Sequence, residues 1–101
     1  MSEVIRIAFV ALAEVEFEEA RLWYERQRPG LGTEFAIEID ACLERIRQSP
    51  EMYARAKKNY RQVMVKQFPY TIYYEFARGL VTVYTVFHCS RDPAKLDERL
   101  P

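Results

Sequence analysis

The sequence predicts an α+β domain with two consecutive helices on one face of a mainly antiparallel sheet. Three observations point there. Two segments with apolar residues at helical spacing follow one another in the first half, three β-rich runs follow one another after residue 60, and 101 residues suit a single core. Area scaling has a chain of this size bury about two thirds of its unfolded surface, enough for a core without metal or disulfide help. Half of the residues are apolar and 14% are aromatic, which excludes a disordered chain. Residues 1–101 are therefore read as one domain.

The elements follow in order. Residues 3–9 alternate, with Val4, Arg6 and Ala8 against Ile5, Ile7 and Phe9, and period two predicts a strand. Residues 12–28 step helically through Leu12, Val15, Glu19, Trp23 and Arg26. Acids (Glu14, Glu16, Glu18, Glu19) crowd the first half of this segment and bases (Arg21, Arg26, Arg28) the second, an order that suits the helix macrodipole. Pro29-Gly30 ends it. A second helix is expected over 32–48, with Thr33 as N-cap, an apolar stripe of Leu31, Phe35, Ile39, Cys42, Leu43 and Ile46, and Ser49-Pro50 as its stop. The short joint makes the two an antiparallel hairpin. Trp23 and Tyr24 are expected to pack that hairpin on the sheet.

Residues 51–59 read as a polar connection. A three-strand meander follows at 60–67, 70–77 and 80–88, separated by Phe68-Pro69 and by Ala77-Arg78-Gly79. The last run is apolar on both faces and is read as a central strand. Residues 94–99 add a short helical turn that carries Arg99. The helices cover one face of the sheet, and the other is expected to be partly open.

Net charge is zero, but residues 1–51 hold 11 acids and 6 bases, a balance of −5, and residues 52–101 hold 4 acids and 9 bases, a balance of +5. Such patterning suits solvated faces of opposite sign, or a positive sheet face that meets an acidic partner or a phosphate backbone. Cys42 and Cys89 do not make a secreted disulfide framework, and a reduced, cytoplasmic setting is expected. No stretch reaches the roughly 18 apolar residues of a membrane span. The apolar run 7–13 lacks a basic cluster before it and is not read as a signal peptide. One His and two Cys do not build a four-ligand zinc site, and three glycines exclude a Gly-rich phosphate loop, so neither metal nor cofactor is expected.

The residues that stand out are Ala20-Arg21-Leu22-Trp23-Tyr24, Gly30-Leu31-Gly32 with Phe35, Pro50, Phe68-Pro69-Tyr70 with Ile72 and Tyr74, and His88-Cys89-Ser90-Arg91-Asp92-Pro93. In this order and spacing they resemble the ParE/RelE superfamily of toxins from bacterial type II toxin–antitoxin modules, from Phe9 to about Arg99. The resemblance implies a toxin neutralised by a cognate antitoxin. ParE-like members poison DNA gyrase, whereas RelE-like members cut messenger RNA on the ribosome with sheet-borne Lys and Arg stabilising developing charge. By that likeness Arg61, His88 and Arg91 are the catalytic candidates if the chain is a ribonuclease, with His88 able to titrate near neutrality. No Tyr follows Tyr84 and the chain is neutral, so the ParE-like branch is favoured. A non-toxic binding domain of the same fold is a further alternative.

Partner-binding candidates are Arg61, Lys66, Tyr73, Arg91 and Arg99, expected to gather on the uncovered face. An acidic, partly apolar antitoxin tail would lie there and across the helical hairpin. Each candidate also has a plainer role: His88 as a structural imidazole, Arg91 and Asp92 as partners or caps of the following turn, and Arg61 as a cation guarding a strand edge.

Overall fold

The computed structural model describes residues 4–101. The elements are β1 (Arg6–Phe9), α1 (Ala11–Gln27), α2 (Leu31–Gln48), β2 (Arg55–Lys57), β3 (Tyr60–Met64), β4 (Tyr70–Ala77), β5 (Leu80–His88) and α3 (Pro93–Arg99). They form a five-stranded sheet in the order β1-β5-β4-β3-β2. β1 runs parallel to β5 and every other neighbouring pair is antiparallel. The α+β class and the segregated helices are as expected, and β5 is a central strand. The predicted start of the first strand, residue 3, lies outside the described residues. No described helix is long and apolar enough to cross a membrane.

The core lies between the helical hairpin and one sheet face. Ile39, Cys42 and Ile46 of α2 meet Val63, Ile72, Tyr74, Val81, Val83 and Val86 of the sheet. An aromatic cluster closes one end: Phe35 lies 5.2 Å from Tyr24, Phe68 and Tyr70, measured between ring centres. Truncating a ring as buried as Phe35 costs about 3–5 kcal/mol. The motif Phe68-Pro69-Tyr70 is thus turn and core chemistry. Trp23 departs from expectation. Its neighbour Tyr24 takes the core position, one helical step turns the indole outward, and Trp23 is 52% exposed.

Two local readings need correction. Residues 51–59 are not only a connection: Arg55–Lys57 pairs with β3 as a short edge strand across an irregular register. Arg-Ala-Lys has little β preference of its own, so the pairing comes from the neighbouring strand. Thr33 lies inside α2, and Gly30, at φ 91°, is the N-cap. The cap is supplied from α1. The Glu25 carboxylate accepts hydrogen bonds from the Gly30 N–H at 2.9 Å and the Gly32 N–H at 3.0 Å. A Cβ on Gly32 would lie 2.6 Å from the Arg21 carbonyl oxygen, so the hairpin closes only around a glycine there.

The outer sheet face is less open than predicted. β3 points Arg61 and Val63 toward the helices and Tyr60, Gln62 and Met64 away from them. Lys57 pairs with Asp97 of α3, and the Tyr60 hydroxyl donates to the Pro101 carbonyl. Tyr60 packs edge-on against Tyr84 at 5.1 Å, and Leu100 is buried beside them. The helix α3 begins at Pro93 and is capped by Asp92, whose Oδ1 accepts from the Ala94 N–H at 3.0 Å.

Candidate functional site

β5 outruns its parallel partner. β1 pairs only with residues 80–83, and the last bond of that edge runs from the Val10 N–H to the Val83 carbonyl at 3.0 Å. Beyond it the β4 register skips Tyr84, a bulge that reorients the strand. Side chains then take the place of a neighbouring strand. Glu16 of α1 accepts from the Val86 N–H at 3.2 Å and from the Thr85 hydroxyl at 2.8 Å, both at Oε1. Arg99 donates to the Tyr84 carbonyl at 2.7 Å. An unpaired edge is thereby satisfied by one acid and one base.

The same acid binds two arginines. Glu16 Oε2 accepts from Arg99 and, at 3.2 Å, from Arg91. Arg99 has 13% of its side chain exposed and Glu16 has 18%, whereas Arg91 keeps 41%. Arg99 is therefore engaged inside the chain, by Glu16, the Thr85 hydroxyl and the Tyr84 carbonyl. Arg91 remains available. Its guanidinium sits 4.6 Å from the centre of the Phe87 ring, on which it stacks as a cation.

His88 pairs with Tyr70 across β4 and β5, and its ring stands edge-on to that tyrosine at 4.8 Å. The Ser90 N–H donates to His88 Nδ1 at 3.0 Å, which puts the proton of the neutral ring on Nε2. Two adjoining clefts share Trp23, Tyr70 and His88 as a wall. One, of about 250 Å³, reaches Glu16, Glu19 and Arg91, and the other, of about 440 Å³, reaches Tyr24 and Pro69. Burial pushes the Tyr70 hydroxyl up to about 12, so it stays protonated and serves as a donor rather than a base. The site offers an aromatic wall, an imidazole N–H and one half-exposed guanidinium. That chemistry suits recognition of a partner that is apolar in part and carries an acceptor or a negative charge.

The predicted convergence of Arg61 with His88 and Arg91 does not occur. Arg61 is opposite Tyr74, Tyr74 is opposite Val83, and His88 lies five residues farther along β5. Two strand spacings and that length of strand separate Arg61 from His88 by on the order of 20 Å. Arg61 also faces the helix side, where it donates to the Tyr53 carbonyl at 2.8 Å. Lys66 is exposed just beyond β3. Tyr73 is on the outer face with its ring 6.2 Å from Phe87, so Tyr73 and Arg91 flank the same phenylalanine. Cations of the second half thus divide between two ends of the sheet instead of sharing one open surface. Arg91 and Arg99 answer an acid from the first half, so the −5 and +5 halves partly neutralise each other inside the chain.

Sequence reasoning missed Glu16. The signal was present: Ala13, Phe17, Ala20 and Tyr24 face the core, and Glu16 falls within that stripe, where a carboxylate needs a partner.

Residues 7–93 match the family model described as ParE toxin of type II toxin–antitoxin system, parDE. No curated protein matches the chain. Among solved structures the chain is similar to one from the chromosomal ParDE TA system of P. aeruginosa, with a TM-score of 0.75 at 10% identity, over 86% of this chain and 98% of that one. Identity that low speaks for the fold alone, and membership rests on the family model, which covers most of the sequence. With the helical hairpin, the meander and the His88–Pro93 ending all inside the matched region, the chain belongs to the ParE toxin family of type II toxin–antitoxin systems.

Proposed function

We propose that this ParE-family toxin poisons DNA gyrase without cutting RNA, and that a cognate antitoxin silences it by covering α1 and the cleft at the end of β5. The observation that carries the first half is the separation of Arg61 from His88 and Arg91. A nuclease of the kind considered above needs its cations around one phosphate, and these stand on the order of 20 Å apart. Arg91 is in addition half neutralised by Glu16, and Tyr70, whose ring packs on His88, is held protonated.

The second half rests on α1. Ala13 and Ala20 of this helix are buried with Phe17 and Tyr24 against the core, yet Leu12, Val15, Leu22 and Trp23 stand out to solvent. At helical spacing these four form a second apolar stripe, and a helix apolar on two sides has two packing partners. The stripe runs into the cleft at Trp23, beside Arg91. An antitoxin segment with an apolar helical face and a nearby carboxylate fits that combination. Both partners would be met in the cytoplasm.

The test is induction of the toxin in growing cells. Gyrase-dependent chromosome breaks with a DNA-damage response, and messages left intact by primer extension, are expected. Codon-phased cuts in translated messages, with no gyrase-linked breaks, would sink the proposal.

A further inference from the structure

A second cation cluster lies at the opposite end of the sheet from Glu16. Arg55 and Arg61 are direct cross-strand partners in β2 and β3. Arg78 comes from the β4–β5 turn and adopts φ 53°, a left-handed conformation that non-glycine residues seldom take. All three line one cavity of about 350 Å³, together with Asn59, Glu51 and Glu75. Among the described residues none of the three arginines forms an ion pair, although both glutamates share the cavity. Like charges directly opposite on neighbouring strands repel. An arrangement that places two there, adds a third and leaves the carboxylates disengaged is relieved by an anion.

We infer that Arg55, Arg61 and Arg78 form a binding site for a single phosphate group. Arginine forks match phosphate oxygens in pairs, and three forks from three chain segments surround a tetrahedral ion better than a planar carboxylate. The lining offers Phe76 and Ala77 as its apolar members, too little to anchor a peptide, and the flanking glutamates limit the charge accepted to one group. The lining holds no histidine, and the inference is of binding alone. This inference stands whether or not gyrase is the target.

The test uses the full chain and the double variant R55Q/R78N. Neither change removes the Arg61–Tyr53 bond, and Asn suits the left-handed position at 78, so the fold is retained. Orthophosphate, a mononucleotide, a short DNA duplex and a polyglutamate peptide are titrated separately, with Arg26→Gln on α1 as a control. Wild type and the control are expected to bind a phosphate probe about tenfold more tightly than the double variant. If the duplex is the tightest probe, the logarithmic salt slope should fall by about two in the variant, and the source is a nucleic-acid backbone. Variant-sensitive binding of orthophosphate or mononucleotide but not duplex assigns the site to a free phosphate. Equal binding by wild type and variant, no binding of any phosphate probe, or tighter variant-sensitive binding of polyglutamate overturns the inference.

Discussion

At one end of the sheet Arg91 and Arg99 close on Glu16, which also caps two donors of β5. At the other end Arg55, Arg61 and Arg78 surround a cavity and pair with no acid among the described residues. The two ends have similar charge and different obligations. A guanidinium that completes a strand edge is part of the fold, because removing it leaves buried polar groups without partners. A guanidinium that faces like charge across a ladder, as Arg55 faces Arg61, gains no ion pair from the fold, although Arg61 also donates to the Tyr53 carbonyl. Cation count therefore does not separate the two ends, and the position of the Glu16 carboxylate, which ties Arg91 and Arg99 to the fold, does.

The strongest way to break that contrast is to remove the carboxylate. Glu16→Ala strands Arg99 in a site with little solvent and orphans the Val86 N–H, and it should cost about 3–5 kcal/mol in denaturant unfolding. A loss below about 1 kcal/mol would show that the edge does not need its acid.

Alkaline pH gives the next effect. Tyr74, beside Arg61, and Tyr70, beside Arg91, are both pushed up to about 12 by burial. Between their unfolded values near 10 and that figure the folded chain binds more protons than the unfolded one, so stability falls as pH rises through this window. Buried Tyr74 alone accounts for about 2–3 kcal/mol by pH 12. Tyr74→Phe, which also removes the 2.6 Å bond to the Pro50 carbonyl, should flatten the decline in a stability–pH profile.

Arg91→Ala is expected to be milder, about 1 kcal/mol, because this arginine is half exposed and loses one ion pair and one ring contact. Its effect on antitoxin affinity should be larger than its effect on stability, and calorimetric titration of the complex separates the two. The smallest effect has the opposite sign. Arg55→Gln should raise stability by roughly half a kcal/mol through relief of cross-strand repulsion. A destabilised variant would mean that Arg55 has a folding role the geometry does not reveal.

Period and punctuation made most of the fold legible. The stripe through Phe35, Ile39, Cys42 and Ile46 fixes α2, and β-branched runs fix β4 and β5 to within a residue. What failed was set by contacts distant in the chain or by pairing. The cap of α2 is Glu25, a residue of another helix, so the local signal at Thr33 pointed to the wrong place. β2 exists through its pairing with β3 rather than through its own residues. The scatter of the site residues has the same origin. Composition puts Arg61, His88 and Arg91 in one half of the chain, but register decides which strand ends meet, and β3 starts where β5 is only halfway along. Trp23 was legible as a landmark and misread as core, since neighbouring aromatics on a helix cannot both face inward.

The most direct test of the functional account combines the purified toxin with gyrase, ATP and relaxed plasmid, and in parallel with translating ribosomes and a defined message. The account predicts protein-linked double-strand breaks that require gyrase, suppressed by antitoxin, and an uncut message. A message cut at ribosome-phased positions, with supercoiling by gyrase unimpaired, would contradict it.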